Sequence, residues 1–139
     1  MQANNKGLSF ITIMVIIAIL ALILRFAVER ILEITIQQND SNAQATIKLI
    51  SVALENYARD HQGTFPGSLS VLTQNNPPYL DKDYIVKSPL KGYEYSCSRL
   101  EASGYSCSAT PIKCKISGRT VYMVSTGDLV VSEICSPKE

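Results

Sequence analysis

The chain has 139 residues and a formal net charge of +1, which leaves room for one domain plus an extension. Acidic and basic residues are mixed along it, and it has neither a basic run nor a set of interleaved aromatic and basic side chains, so nothing indicates nucleic-acid binding. The apolar residues, however, are concentrated near the N-terminal end.

The first predicted element is an apolar helix close to the start of the chain. Residues 8–24 contain only two polar side chains, Ser9 and Thr12, and no charge. At about 1.5 Å per residue, a helix of this length spans roughly 25 Å, which is near the low end of what crosses a hydrocarbon core. We therefore predict a membrane-inserted helix with a short polar leader before it and a water-soluble sequence after Arg25.

Three identities are possible for such an apolar stretch. A secretory signal peptide has a shorter apolar core and then a small-residue cleavage site, whereas charged residues follow at helical spacing here. An uncleaved signal anchor and a membrane helix with a cleaved leader both remain open. Lys6 and the amino terminus are positive, and the charges between Arg25 and Glu33 cancel, so the positive-inside rule places the leader in the cytoplasm.

Helical character continues well beyond the apolar stretch. Residues 25–60 contain no Pro and no Gly, so nothing obvious breaks the helix before Gly63. Residues 39–42 are rich in side chains that compete with helix, and we expect a kink or a loosened turn there. One amphipathic face is predicted to pack on a globular head, and it consists of Ala43, Ile47, Ile50, Leu54 and Tyr57.

Several segments together carry a family signature. The leader ends in Lys6-Gly7, directly before the uncharged run that starts at Leu8. Residues 45–66 contain a helix end followed by a Gly-x-aromatic-Pro turn, and a loop and a strand follow at 77–80 and 88–95. These features resemble the class III signal and the middle region of type IV pilins and type II secretion pseudopilins. The resemblance covers most of the chain and weakens after about Cys97.

The resemblance implies a filament subunit that is processed before assembly. In that family a prepilin peptidase cuts after the glycine, here Gly7, and methylates the new amino terminus, here Leu8. The expected organisation is a cleaved leader at 1–7, a transmembrane and protruding helix at 8–40, and a globular head at 41–139. The assembly helix is expected to use Phe10, Thr12, Val15, Ile16 and Ile19.

The same resemblance implies the partners and the location. The expected partners are other pilin subunits in a homo- or hetero-filament, the prepilin peptidase, an inner-membrane assembly platform, and the lipid bilayer before assembly. The chain would be a single-pass inner-membrane protein with a cytoplasmic N-terminus, and later part of a periplasmic or extracellular filament. A pilus, a secretion pseudopilus and a DNA-uptake filament all remain open. The alternative function is a periplasmic or surface binding domain tethered by an uncleaved signal anchor.

Two positions depart from the family pattern. The fifth residue after the cut is usually a Glu that pairs with the charged amino terminus of a neighbouring subunit, and it is Thr12 here. The usual helix-interior Pro near the membrane exit is also missing, since Val28–Arg30 occupies that region. The absent carboxylate predicts a minor or tip subunit, because a subunit at the tip of a filament has no neighbour above it with which to form this charge pair. A lineage that tolerates Thr at this position explains the change equally well.

The head is predicted to be α+β. A short helix is expected after Ser68, and residues 93–97 and 105–109 alternate apolar with polar side chains, as strands with one buried face do. A five-residue loop between these strands would place Arg99 opposite Tyr105, and Cys97 opposite Cys107.

A second hairpin is predicted near the C-terminal end. Residues 119–125 and 129–135 read as strands joined by Thr126-Gly127-Asp128. Together the two hairpins form an antiparallel sheet of about four strands, which would cover the apolar stripe of the long helix. The predicted architecture is therefore a long N-terminal helix packed on a small antiparallel sheet, as in pilins.

The four cysteines all lie in the part of the chain predicted to be exported. None forms a C-x-x-C pair, so we predict disulfides rather than a zinc site. Three pairings are possible for four cysteines. The strand register favours Cys97–Cys107, and a Cys114–Cys135 bond would be similar to the C-terminal disulfide loop of many type IV pilins.

No arrangement of side chains in the sequence indicates catalysis. His61 is the only histidine, and beside the helix-ending Gly63 a capping or solvent-facing role is expected. Asp81-Lys82-Asp83 lacks the Gly and Glu of a calcium-binding EF-hand loop. We predict no catalytic residue, no metal and no cofactor.

Overall fold

The structure is a computed structural model, and it describes residues 10–136. The elements in chain order are α1 (Phe10–Asp60), α2 (Leu69–Gln74), β1 (Tyr93–Glu101), β2 (Gly104–Pro111), β3 (Thr120–Ser125) and β4 (Leu129–Ile134). The strands form one four-stranded antiparallel sheet in the order β1-β2-β3-β4, and α1 packs on it. The predicted α+β architecture is thereby confirmed.

The chain divides into two units, and the boundary lies within α1. The first unit is Met1–Ile34 and the second is Thr35–Glu139. The second unit begins before residue 41, because Ile36 is already buried and Asn39 already bonds to the segment between β2 and β3. The head as the structure has it therefore includes α1 from Thr35 onward.

Helix α1 runs through the segment where the sequence predicted a kink. Asn39 Nδ2 donates to Ser117 O at 2.9 Å, and Asp40 Oδ1 accepts from the hydroxyl of Tyr93 at 2.6 Å. Asp40 Oδ1 also accepts from the backbone N–H of Arg119 at 3.0 Å. These side chains bond to the head rather than competing for the backbone of their own helix, so the tertiary contacts override the local tendency.

The C-terminal end of α1 is closed by two residues with left-handed backbone conformation. Gln62 has a φ of 58° and Gly63 a φ of 82°, and the N–H of Gly63 donates to Ala58 O at 2.7 Å. This is the six-to-one bond of a Schellman motif, which satisfies a carbonyl that the helix end leaves without a partner. His61 Nδ1 lies 2.8 Å from Tyr57 O, and the two rings stack with centroids 3.8 Å apart.

The hydrophobic core lies between α1 and the inner face of the sheet. The helix contributes the predicted stripe, of which Ile47, Ile50 and Leu54 are almost completely buried, and Tyr57 is partly buried. Small residues, Ala43 and Ala53 among them, allow the sheet to approach the helix closely. The remaining core side chains come from α2, the loops and the strands: Phe65, Leu69, Leu72, Leu80, Tyr84, Tyr93, Tyr95, Tyr105, Cys107, Ala109, Tyr122 and Val124.

The first hairpin is tighter than the sequence predicted. Glu101 pairs with Gly104 across a two-residue turn, so Leu100, and not Arg99, faces Tyr105. A turn of that length alone would move Cys97 out of register with Cys107 and turn the upstream tyrosines to the other face of the sheet. The register shift between Cys97 and Arg99 is a β-bulge that adds one residue and restores the Cys97–Cys107 pair.

The second hairpin has the predicted three-residue loop. Ser125 pairs with Leu129, and Gly127 and Asp128 have φ values of 87° and 56°. Two disulfides join Cys97 to Cys107 and Cys114 to Cys135. The first links neighbouring strands, and the second ties the residue after β4 to the segment that connects β2 with β3.

Candidate assembly surface

The N-terminal part of α1 exposes apolar side chains on all sides. Every residue from Phe10 to Leu32 is exposed, and the first buried position of the helix is Ile36. Phe10 is 74% exposed and Phe26 is 67% exposed. A surface of this extent exceeds what a soluble monomer normally leaves in contact with water, so it is a candidate interaction surface.

This part of α1 is a candidate membrane span by its length and composition. None of the apolar window is buried, which distinguishes it from the core helix of a soluble protein. The same helix continues into the head without interruption, ending at Asp60.

The charged residues that follow the apolar stretch pair along the helix. Arg25 Nε lies 3.5 Å from Glu29 Oε1, and Arg30 Nη1 lies 3.6 Å from Glu33 Oε2. These are i,i+4 and i,i+3 pairs on an exposed surface, where each contributes only a few tenths of a kcal/mol. Their main consequence is local neutrality, which lowers the cost of placing this part of the helix near apolar neighbours.

The side chains predicted for assembly are all exposed, but they do not form one stripe. At 100° per residue, Thr12, Val15, Ile16 and Ile19 fall within about 100° of one another. Phe10 falls on the opposite side of the helix. Gly7 and Leu8, the predicted cleavage and methylation positions, lie outside the described residues.

A hydrogen-bond network ties the C-terminal part of α1 to the sheet and to the loop before β4. The hydroxyl of Tyr105 donates to Glu55 Oε1 at 2.9 Å and lies 2.9 Å from Ser51 Oγ. Ser51 Oγ donates to Asp128 Oδ1, and the backbone N–H of Gly127 donates to Glu55 Oε1 at 2.8 Å. Sequence reasoning missed this network, although a serine inside an apolar stripe is a signal that a buried polar partner is needed.

We expect the head to lose stability at alkaline pH, partly through Tyr105. Burial raises the pKa of Tyr105 to about 12, and the carboxylate of Glu55 adds to that effect while the hydroxyl of Ser51 opposes it. The protonated phenol is therefore favoured by folding. Its contribution is complete below pH 10, where the unfolded phenol titrates, and is lost as the pH rises through the folded pKa.

Urea unfolding at a series of pH values from 8 to 12 measures this effect. The Tyr105→Phe variant is expected to be less stable at neutral pH, because it loses both hydroxyl contacts, and to show a shallower alkaline decline than the wild type. An alkaline decline as steep as that of the wild type would show that Tyr105 does not contribute to it.

Within residues 10–136, no group of three or more His, Cys, Asp or Glu side chains is arranged to hold a metal ion.

Comparisons with known proteins identify no relative of this chain. No family model matches it, and neither the curated proteins nor the solved structures contain a significant match.

Proposed function

We propose that the protein is a structural subunit, a pilin or pseudopilin, of a type IV pilus or type II secretion filament. The observation that carries the proposal is the exposed apolar surface of α1 between Phe10 and Ile34. In this proposal the helix is held in the inner membrane before assembly and later packs against the equivalent helices of other subunits. The disulfide-bonded head then forms part of the outer surface of the filament.

The length of the exposed apolar surface favours a filament subunit over a simple membrane tether. A helix that enters the hydrocarbon core at Phe10 crosses it in roughly 20 residues and leaves at about Glu29. Ile31, Leu32 and Ile34 lie beyond that point, and each is more than half exposed. Burying the exposed part of each such side chain is worth about 1–2 kcal/mol, a gain that neighbouring helices supply and that water does not.

Processing of the leader is the experiment that tests the proposal. We expect the mature chain to begin at Leu8 with a methylated amino terminus, and intact-mass measurement of the membrane-extracted protein checks this. Gly7→Glu is expected to leave the precursor uncut, because the peptidase acts next to the membrane edge and requires a small, flexible residue there.

A matched control places the same charge elsewhere in the leader. Asn4→Glu is expected to mature like the wild type. An intact leader on the wild-type protein, or normal maturation of Gly7→Glu, would contradict the proposal. An intact leader would instead favour a binding domain tethered by an uncleaved anchor.

Thr12 bears on the place of the subunit within a filament. An unpaired ammonium group in a low-dielectric helix bundle is costly, and a neighbouring carboxylate offsets that cost. We therefore propose that this chain enters filaments as a minor or tip subunit, and that Thr12→Glu increases its incorporation several-fold. Counting fluorescently labelled subunits per filament measures the effect.

Thr12→Gln is the control for this substitution, because it adds the bulk of Glu without the charge. Incorporation of Thr12→Gln at the wild-type level, with higher incorporation of Thr12→Glu, would support the charge-pair explanation. Abundant wild-type subunits along the whole filament would rule out the tip position without affecting the assignment as a filament subunit.

A further inference from the structure

Strand β4 is an exposed edge of the sheet that carries little protection against further pairing. All six of its residues are exposed, and four of them are apolar: Leu129, Val130, Val131 and Ile134. Ile134 is 85% exposed. Natural edge strands are usually blunted by charges, prolines or bulges, whereas β4 has one charge, Glu133, and pairs with β3 in uninterrupted register.

Within residues 10–136, the backbone of β4 presents a regular set of hydrogen-bonding groups that have no partner. The N–H of Cys135 donates to Arg119 O at 2.9 Å, which fixes the phase of the β3–β4 ladder. In an antiparallel ladder, residues whose N–H and C=O groups bond to the partner strand alternate with residues whose groups point away from it. Since Cys135 bonds to the partner strand, the N–H and C=O groups of Val130, Ser132 and Ile134 point away from β3. An extended chain laid against β4 can form hydrogen bonds with all of them.

The opposite edge of the sheet is covered by the chain itself. The N–H and C=O of Tyr93 exchange hydrogen bonds with Leu90 at 3.0 and 2.8 Å. The N–H of Tyr95 donates to Ser88 Oγ at 2.8 Å. The bulge near Ser98 interrupts the rest of that edge. In the part of the chain that the structure describes, one edge of the sheet is therefore closed and the other is open.

We propose that β4 binds an extended strand of a different protein, which adds a fifth strand to the sheet. Backbone hydrogen bonds to Val130, Ser132 and Ile134 would provide affinity, and the side chains would provide selectivity. Apolar β-branched residues fit opposite Val130 and Ile134 on the inner face. A basic residue fits opposite Glu133 on the outer face.

A second copy of this chain fits the edge poorly if the α1 helices of a filament run parallel to one another. This argument rests on the proposed function. Antiparallel pairing of two β4 strands requires a two-fold axis perpendicular to the sheet, and that axis reverses the direction of α1. Parallel pairing puts the two α1 helices on opposite faces of the joined sheet. Pairing of β4 with β1 of another copy is blocked by the contacts of Leu90 and Ser88 with β1.

Amide hydrogen exchange on the full chain in detergent micelles tests the proposal. Without a ligand, the amides of Val130, Ser132 and Ile134 are expected to exchange faster than those of Val131 and Glu133. The probe is the capped hexapeptide Ile-Lys-Val-Thr-Val-Thr, which places its Lys opposite Glu133 when it pairs antiparallel. At millimolar concentration it is expected to slow exchange at the three outward amides by about tenfold or more.

Two substitutions at one position provide the matched pair of variants. Ser132→Pro removes an outward N–H without removing a bond to β3, and is expected to abolish protection by the peptide. Ser132→Thr keeps the N–H and is expected to retain it. Thermal unfolding of both variants verifies that the head is folded, and a peptide with Pro at its third and fifth positions controls for non-specific binding.

Three outcomes would overturn the inference. One is unchanged exchange at millimolar peptide, and another is equal protection of Ser132→Pro and Ser132→Thr. The third is protection of the three outward amides that rises with protein concentration alone, which would identify a second copy as the occupant. None of these measurements depends on leader cleavage or filament incorporation, so failure here is distinguishable from failure of the proposed function.

Discussion

Gly118→Ala is expected to lower the free energy of unfolding of the head by about 2–3 kcal/mol, as overpacking of a tightly filled core does. A Cβ at this position would lie 2.5 Å from Cε2 and 2.6 Å from Cζ of Tyr93, and closer still to its hydroxyl oxygen. The Tyr93 ring is completely buried, and its hydroxyl is held by Asp40 and by the carbonyl of Thr120. It therefore has no room to move aside.

Gly67→Ala is the matched control for this substitution. A Cβ at Gly67 meets no atom within 4 Å, so we expect a change in the free energy of unfolding within about 0.5 kcal/mol. Denaturant unfolding of both variants under non-reducing conditions provides the comparison. Equal stability of the two variants would mean that Gly118 is not in contact with Tyr93 as described.

Removal of the Cys114–Cys135 disulfide by a double alanine substitution is expected to cost about 3 kcal/mol. The bond joins residues 21 apart in sequence. Loop-closure entropy of the unfolded chain accounts for a stabilisation of about that size. The bond also fixes the residue that follows the exposed strand β4, so the variant is expected to show faster amide exchange in β4 as well.

The Cys97–Cys107 bond provides the internal comparison. It joins residues only 10 apart, on strands that are already paired, so its removal is expected to cost about 0.5 kcal/mol less. Denaturant unfolding of the two double variants measures the difference. A larger loss from the Cys97–Cys107 variant would contradict the entropic argument, and thiol labelling of the unreduced wild type should find no free cysteine.

The elements that the sequence predicted correctly are those with strong local signals. The stripe from Ala43 to Leu54 repeats at helical spacing, and the loop at 126–128 contains a glycine where the backbone has a positive φ. The first hairpin was predicted with the wrong turn. The bulge allows a two-residue turn while keeping the tyrosines of β1 on the buried face of the sheet. The residue types around Ser98 do not indicate a bulge.

The long-range hydrogen bonds could not be predicted for a different reason. Asp40 and Arg119 are far apart in sequence, and so are Ser51 and Tyr105, so their contacts depend on how the sheet is laid across the helix. The sequence does indicate that Asn39 and Asp40 compete with helix, but only the tertiary structure shows where their hydrogen bonds go. The exposed apolar surface of α1, in contrast, can be predicted from the local composition alone.

The attachment of α1 at Asn39 and Asp40 has a mechanical consequence. Asn39 and Asp40 pass tension applied to the helix from its N-terminal side on to Ser117, Arg119 and Tyr93, to which they are hydrogen-bonded. Ser117 and Arg119 lie inside the covalent loop closed by Cys114–Cys135, so that segment cannot be drawn out as free chain. Because Asn39 and Asp40 are adjacent in sequence, the three hydrogen bonds share a load that is applied to the helix. The head is thus built to resist pulling along its own helix.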